Sequence, residues 1–186
     1  MDGRGDGRGG RPARGEHEPY YGLYIDQVPD RDGRNGGAGG GIVETLARQL
    51  EETSLFLSRI DEARASHRYA PGKWSIKQVV GHVVDVERVF ATRGLVTARG
   101  DASPMPGLEQ DQWVQAAGFD ERTFASLVAE YRLVRASNVA LFDSWTDEQS
   151  LRVGQASGCS FTARCWPWII AGHELHHVRV LRERYL

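Results

Sequence analysis

Two histidines, His173 and His177, stand four residues apart in Ile169-Ile170-Ala171-Gly172-His173-Glu174-Leu175-His176-His177-Val178. In a helix of about 3.6 residues per turn they share nearly one face, one turn apart, where both imidazoles can reach a single metal ion. A third histidine, His82, shares a helical face with Val79 and Val86, so it points toward a core rather than toward solvent. Three neutral imidazoles at about 2.0 to 2.1 Å hold Zn²⁺ or another first-row ion such as Ni²⁺ and leave room for water or substrate. A water or thiol placed on such an ion loses its proton more readily than a free one, which supplies a nucleophile near neutral pH.

The structural alternative is that these histidines serve only the core. A His-x3-His pair is a weak motif by itself, and a lone histidine on an apolar face is more often hydrogen-bonded in a core than bound to metal. What favours a metal is the joint pattern, a pair at ligand spacing plus a third histidine, each on the apolar stripe of an expected helix. Asp85, one turn after His82, and Glu174, directly after His173, are candidates to orient a ring or move a proton, although either also reads as a surface charge. His176 is turned about 60° from His173 and is left outside the ligand set.

The string from His173 to His177 also fits the H-E-x-x-H pattern of zinc proteases, in which the glutamate is the general base. Val180 and Glu183 stand where the extended form of that motif places a glycine and a third histidine. Nine residues follow His177, and no strand signals flank the segment, so a protease is disfavoured.

The 186 residues, 40% hydrophobic, suit one globular domain with a real core. A formal net charge of −2 leaves no basic footprint for nucleic acid. The two cysteines, Cys159 and Cys165, are too few for a disulfide framework, and Cys165 beside Trp166 reads as packing rather than as a ligand. No apolar run approaches the ~20 residues of a membrane span and no signal-peptide pattern opens the chain, so a cytoplasmic protein without membrane attachment is expected.

The elements that must position the histidines follow from periodicity. Residues 1–19, rich in Gly and Arg, predict a disordered tail. Residues 20–41 predict an extended arm, carried by Tyr20, Tyr21, Leu23, Tyr24, Ile25 and Val28, followed by a Gly-rich linker. From residue 42 to 186 the pattern is helical. Val43, Leu46, Leu50 and Leu57 mark a helix over about 42–65, and Ser75 caps one that carries Ile76, Val79, His82, Val83, Val86 and Phe90 to about 99. Residues 100–120 read as a long loop, and Phe124, Leu127, Val128, Tyr131, Val134 and Leu141 mark a third helix over about 120–145. A polar connection leads to a last helix over about 161–184, which Pro167 either kinks or starts. No strands are expected. Four long amphipathic helices make an all-α four-helix bundle, an architecture that builds metal sites from inward-facing side chains.

Three stretches together resemble the DinB/YfiT-like superfamily: Tyr-x-x-Tyr-Ile-x-x-Val-Pro in the arm, Pro71-Gly72-Lys73-Trp74-Ser75-Ile76 leading to Gly81-His82-Val83-Val84-Asp85-Val86-Glu87-Arg88, and Ala171-Gly172-His173-Glu174-Leu175-His176-His177 with Leu181-Arg182-Glu183-Arg184-Tyr185. The resemblance covers most of the chain from Tyr20 onward. It implies an up-down-down-up bundle, often a homodimer, with one divalent metal held by His82, His173 and His177. The long linker and Pro167 depart from the family pattern.

For function the resemblance implies a metal-binding protein, with a metal-dependent enzyme acting on a small molecule as the leading expectation. One form is an S-transferase using a low-molecular-weight thiol, for which Arg132, Arg135 or Trp113 would line a polar pocket, the alternative being that they are simply helix surface and core. A second is a metal-dependent hydrolase with Asp85 or Glu174 as base. A third is a metal or small-molecule binding module without turnover.

Overall fold

A computed structural model of the chain describes residues 10–29 and 41–186. Among the described residues the α-helices and strands are α1 (Pro19–Ile25), α2 (Ile42–Leu57), α3 (Glu62–Ala65), α4 (Ile76–Ala98), α5 (Gln110–Ala116), α6 (Phe124–Asp143), α7 (Asp147–Leu151), β1 (Val153–Ala156), β2 (Cys159–Thr162) and α8 (Cys165–Val180). The four long helices α2, α4, α6 and α8 are the expected bundle. Among the described residues no helix is long and apolar enough to cross a membrane.

Local chemistry sets the helix starts. At α4 the Ser75 hydroxyl accepts the Gln78 N–H while the Gln78 side chain accepts the Ser75 N–H, a reciprocal cap that satisfies two otherwise orphaned donors. At α6 Thr123 caps Ser126 in the same sense. Pro167 is the third residue of α8, where a backbone N–H would have no helical partner, so it marks the start of this helix. The end of α8 widens into a π-type turn over Leu181–Tyr185, and the Tyr185 hydroxyl donates to the Trp74 carbonyl at 2.7 Å.

Two apolar clusters fill the bundle, and the order in which each helix meets them gives its direction. One gathers Ile42, Leu46, Phe90, Phe142, Trp166 and Ile169; the other gathers Leu57, Val79, Val80, Leu127, Tyr131 and Leu181. Helices α2 and α8 run from the first cluster to the second, whereas α4 and α6 run from the second to the first. That is up-down-down-up. α4 packs on α6 and α8, and α2 packs on the same two, so α2 stands diagonal to α4 and α6 diagonal to α8. The parallel pair α4 and α6 needs a connection that runs back along the bundle, and residues 99–123 supply it.

Several expectations change. The segment read as an extended arm is the helix α1: Glu18 caps it by accepting the Tyr20 N–H, and Pro19 occupies its first turn. α1 lies on α8, with Ile25 buried. Residues 10–19, read as part of a disordered tail, are tied down. Arg11 donates to the carbonyls of Ile25 and Val28, and the Glu16 carboxylate meets Arg164 and Thr162. Residues 1–9 and most of the Gly-rich linker lie outside the described residues.

The long loop over 100–120 contains α5 and a 3-10 turn at Phe119–Glu121. The polar connection before α8 holds a hairpin in place of irregular chain. Its strands pair from Val153↔Thr162 to Ala156↔Cys159. Ser157 and Gly158, with φ of 53° and 78°, form the two-residue turn whose twist suits adjoining strands.

Candidate metal centre

His82 projects from the second turn of α4, and His173 and His177 from successive turns of α8, which runs antiparallel to it. This arrangement brings the three imidazoles to the boundary between the two apolar clusters. His173 Nε2 lies 3.2 Å from His82 Nε2 and 3.1 Å from His177 Nε2. The potential ligand atoms of the three all fall within 4.8 Å of one another. The rings are held by aromatic contacts: Trp74 lies 4.8 Å from His82, and the edge-on ring of Tyr24 lies 5.3 Å from His173, centre to centre.

Burial pushes all three imidazoles toward the neutral form. His82 falls to about 4, chiefly from burial with a contribution from His176. His173 and His177 fall well below the ordinary value for the same first reason, with the neighbouring imidazoles adding to it. Neutral imidazole is the form that offers a lone pair to a metal.

The donor set fits a first-row divalent ion. Two nitrogens each about 2.05 Å from an ion and 3.1 to 3.2 Å apart subtend about 100° at it, near a tetrahedral angle. Without a cation the cluster is under-satisfied. A ring nitrogen carries one hydrogen or one in-plane lone pair, yet His173 Nε2 faces two neighbouring nitrogens.

The other residues singled out in the sequence lie elsewhere. Asp85 is half-buried on the adjoining face of α4, its carboxylate 3.5 Å from Arg88 and its pKa raised by burial. It lines a separate cavity with Leu108 and Trp113, the latter 47% exposed. Glu174 is buried and turned away from the histidines. Its Oε1 accepts from the Thr53 hydroxyl, and its Oε2 meets Tyr131 at 3.1 Å and Arg135 at 2.5 Å. With its oxygens engaged there, Glu174 is not placed as the base of the H-E-x-x-H reading.

Arg135 is completely buried between Glu87 and Glu174 instead of facing a pocket, and Arg132 is on the surface. The Cys165 thiol is raised to about 11 by burial and donates to the Glu16 carbonyl, which suits a packing role. Sequence reasoning missed the role of Glu87, and of the two readings it left for Arg135 the structure takes the core one. The available signal was position: Arg135 lies on the stripe of Leu127, Tyr131, Asn138 and Phe142, and a charge at a core position demands a partner.

A cavity of about 340 Å³ adjoins the cluster, with His177 and His176 on one side and Lys73, Trp74 and Asp111 on others. The site therefore combines three largely buried nitrogen donors with an adjoining space for a small molecule.

No curated protein sequence matches this chain. Among solved structures, YfiT from Bacillus subtilis, described as a probable metal-dependent hydrolase with an unusual four-helix bundle topology, shares the fold. The TM-score is 0.65 at 15% identity, over 94% of this chain and 90% of that one. The sequence profile of the DinB superfamily matches residues 45–181, a stretch that holds most of α2, all of α4, α6 and α8, and all three clustered histidines. The chain belongs to the DinB superfamily.

Proposed function

We propose that this protein is a divalent-metal-dependent enzyme for a small-molecule substrate, with His82, His173 and His177 as ligands and Zn²⁺ or Ni²⁺ as the ion. The observation that carries the reading is the convergence of three imidazole Nε2 atoms, His82 and His173 buried and His177 half-buried, beside a cavity large enough for a small molecule. An ion held there supplies a Lewis acid that lowers the pKa of a coordinating water or thiol. Burial keeps the imidazoles unprotonated, and Trp74 and Tyr24 hold two of the rings by their faces and edges. On the cavity wall, Lys73 offers a cation to an anionic group of the substrate and Asp111 an anion to a cationic one.

For the reaction we favour S-transfer with a low-molecular-weight thiol. Of the two carboxylates that a hydrolase would use as base, Glu174 is engaged by Arg135 and Asp85 lines a separate cavity. A thiol, with an ordinary pKa near 8.5, needs less help to ionise than water does. Hydrolysis is the second reading, supported by the description of YfiT and by Asp111 and His176 on the cavity wall, either of which could take a proton.

The test begins with metal content by mass spectrometry on tag-free protein. The loaded protein is then assayed with electrophiles and added thiols, and with ester or amide substrates without thiol. Turnover that requires thiol supports transfer, and thiol-independent cleavage supports hydrolysis. One bound ion with neither activity leaves a binding module, and protein that stays empty after Zn²⁺, Ni²⁺ and Mn²⁺ removes the enzyme reading.

A further inference from the structure

Behind the histidines the buried charges do not balance. Arg135 Nε and Nη2 donate to Glu87 Oε1 and Oε2 at 2.7 and 2.8 Å, and Nη2 also lies 2.5 Å from Glu174 Oε2. The Arg135 side chain is 0% exposed and both carboxylates are 2% exposed. The remaining partners of this network carry no charge: Thr53 and Tyr131 donate to Glu174, Asn138 donates to Glu87, and Arg135 reaches Gln49. All four long helices contribute, and one guanidinium meets two carboxylates.

An uncompensated charge in an interior is costly, because the water that would solvate it is excluded. Apolar side chains close the bundle on both sides of this belt. Glu174 sits in α8 between His173 and His177, so this carboxylate is carried by the same helix as the ligand pair. Arg135 by itself would repel a cation, and the two carboxylates that meet it outnumber its charge.

Resting on the three-histidine reading, we propose that Glu174, backed by Glu87 across Arg135, is the counter-charge for a divalent cation at His82, His173 and His177. It is a positioning group: it touches neither the ion nor a substrate, and acts through its field and through the α8 backbone that carries both histidines. Metal affinity and the stability of the buried network are then linked. A network that serves only to hold the helices together would, when cut, lower the metal-free and metal-loaded proteins alike.

The experiment uses Zn²⁺ as the probe and the full chain. Its affinity is measured by competition with a chromophoric chelator, and thermal midpoints are taken in EDTA and in excess Zn²⁺, for the parent, E174Q, E87Q and R135Q. E174Q is expected to bind Zn²⁺ about ten- to a hundredfold more weakly and to gain less from it thermally. R135Q, with its carboxylates unopposed, melts lower in EDTA and gains more from Zn²⁺ than the parent does. E87Q removes the same charge from a residue not adjacent in sequence to a ligand, so it weakens binding in the same direction and decides the matter if E174Q fails to fold. Parent-like affinity in both glutamine variants, a loss confined to E174Q, or a smaller zinc gain in R135Q overturns the proposal. A parent chain that takes up no Zn²⁺ overturns the three-histidine reading itself.

Discussion

Gly172 lies directly against the backbone carbonyl of Tyr24, so closely that a Cβ at position 172 would overlap the Tyr24 carbonyl carbon and oxygen. This contact seats α1 on α8 and places the Tyr24 ring against His173. The obstacle to a larger residue is backbone, which cannot rotate aside as a side chain can. Gly172→Ala is expected to lift α1 and to cost about 3 kcal/mol, the upper end of ordinary overpacking. Denaturant unfolding gives the cost, and faster proteolysis within residues 19–25 reports the displaced helix. A parent-like midpoint and cleavage pattern would show that α1 is not seated as described.

The His82→Ala and His177→Ala variants are expected to lose the bound ion while remaining helical. Each removes one of the two nitrogens that lie 3.2 and 3.1 Å from His173 Nε2. Mass spectrometry of purified protein, with far-ultraviolet circular dichroism as the control for folding, reads the outcome. Zinc-dependent thermal stabilisation in the parent should vanish in both, since a ligand stabilises only the folded state that binds it. Retention of one ion per chain in either variant would rule that histidine out as a required ligand.

The N-terminal segment is held by a carboxylate that responds to acid. Glu16 accepts from Arg164 Nε at 2.8 Å, from Thr162 at 2.7 Å and from the Ala13 N–H at 2.9 Å. The Arg164 hydrogen bonds, ahead of the other causes, bring its pKa from 4.5 down to about 2. A carboxylate depressed in the folded state adds stability above its unfolded pKa and loses it as the pH falls through the folded one. The parent should therefore exceed Glu16→Gln by about 1–2 kcal/mol at neutral pH, allowing for solvent screening, with the gap closing between about pH 4.5 and 2. Unfolding curves of both proteins across that range test it, and a gap that does not change with pH would contradict the ion pair.

Ser75 joins the start of the histidine-bearing helix to the connection that returns along the bundle. Its hydroxyl accepts the Gln78 N–H at 3.1 Å and donates to Asp120 at 2.5 Å. Ser75→Ala is expected to cost about 1–2 kcal/mol, at the upper part of the range for a lost cap, and Ser75→Thr to recover most of it. Equilibrium unfolding of the three proteins measures this directly. Equal stability of the alanine variant would place the helix start elsewhere.

The helices were legible because an apolar stripe at the helical period depends on the residues of one element alone. Ser75 marks a helix start by the same local logic, whereas the start of α6 at Thr123 falls a few residues after the expected one. The expectation for α1 failed because seven residues carry too little periodicity, although Glu18-Pro19 is a helix-start signal. The hairpin over residues 153–162 was missed because its strands are four residues each, too short for alternation to stand out, and the turn at Ser157-Gly158 was its remaining sign.

By itself the sequence determined that four helices form, that His173 and His177 share a face, and that His82 lies on a core stripe, because each follows from spacing along one helix. Only the tertiary structure decided that α2 stands diagonal to α4, that Nε2 atoms from α4 and α8 come within 3.2 Å, and that Arg135 lies between Glu87 and Glu174. Periodicity names the face a helix buries but not the helix it is buried against. For a charged residue that partner decides everything, since the same glutamate is a solvated surface group opposite water and a buried counter-charge opposite an arginine.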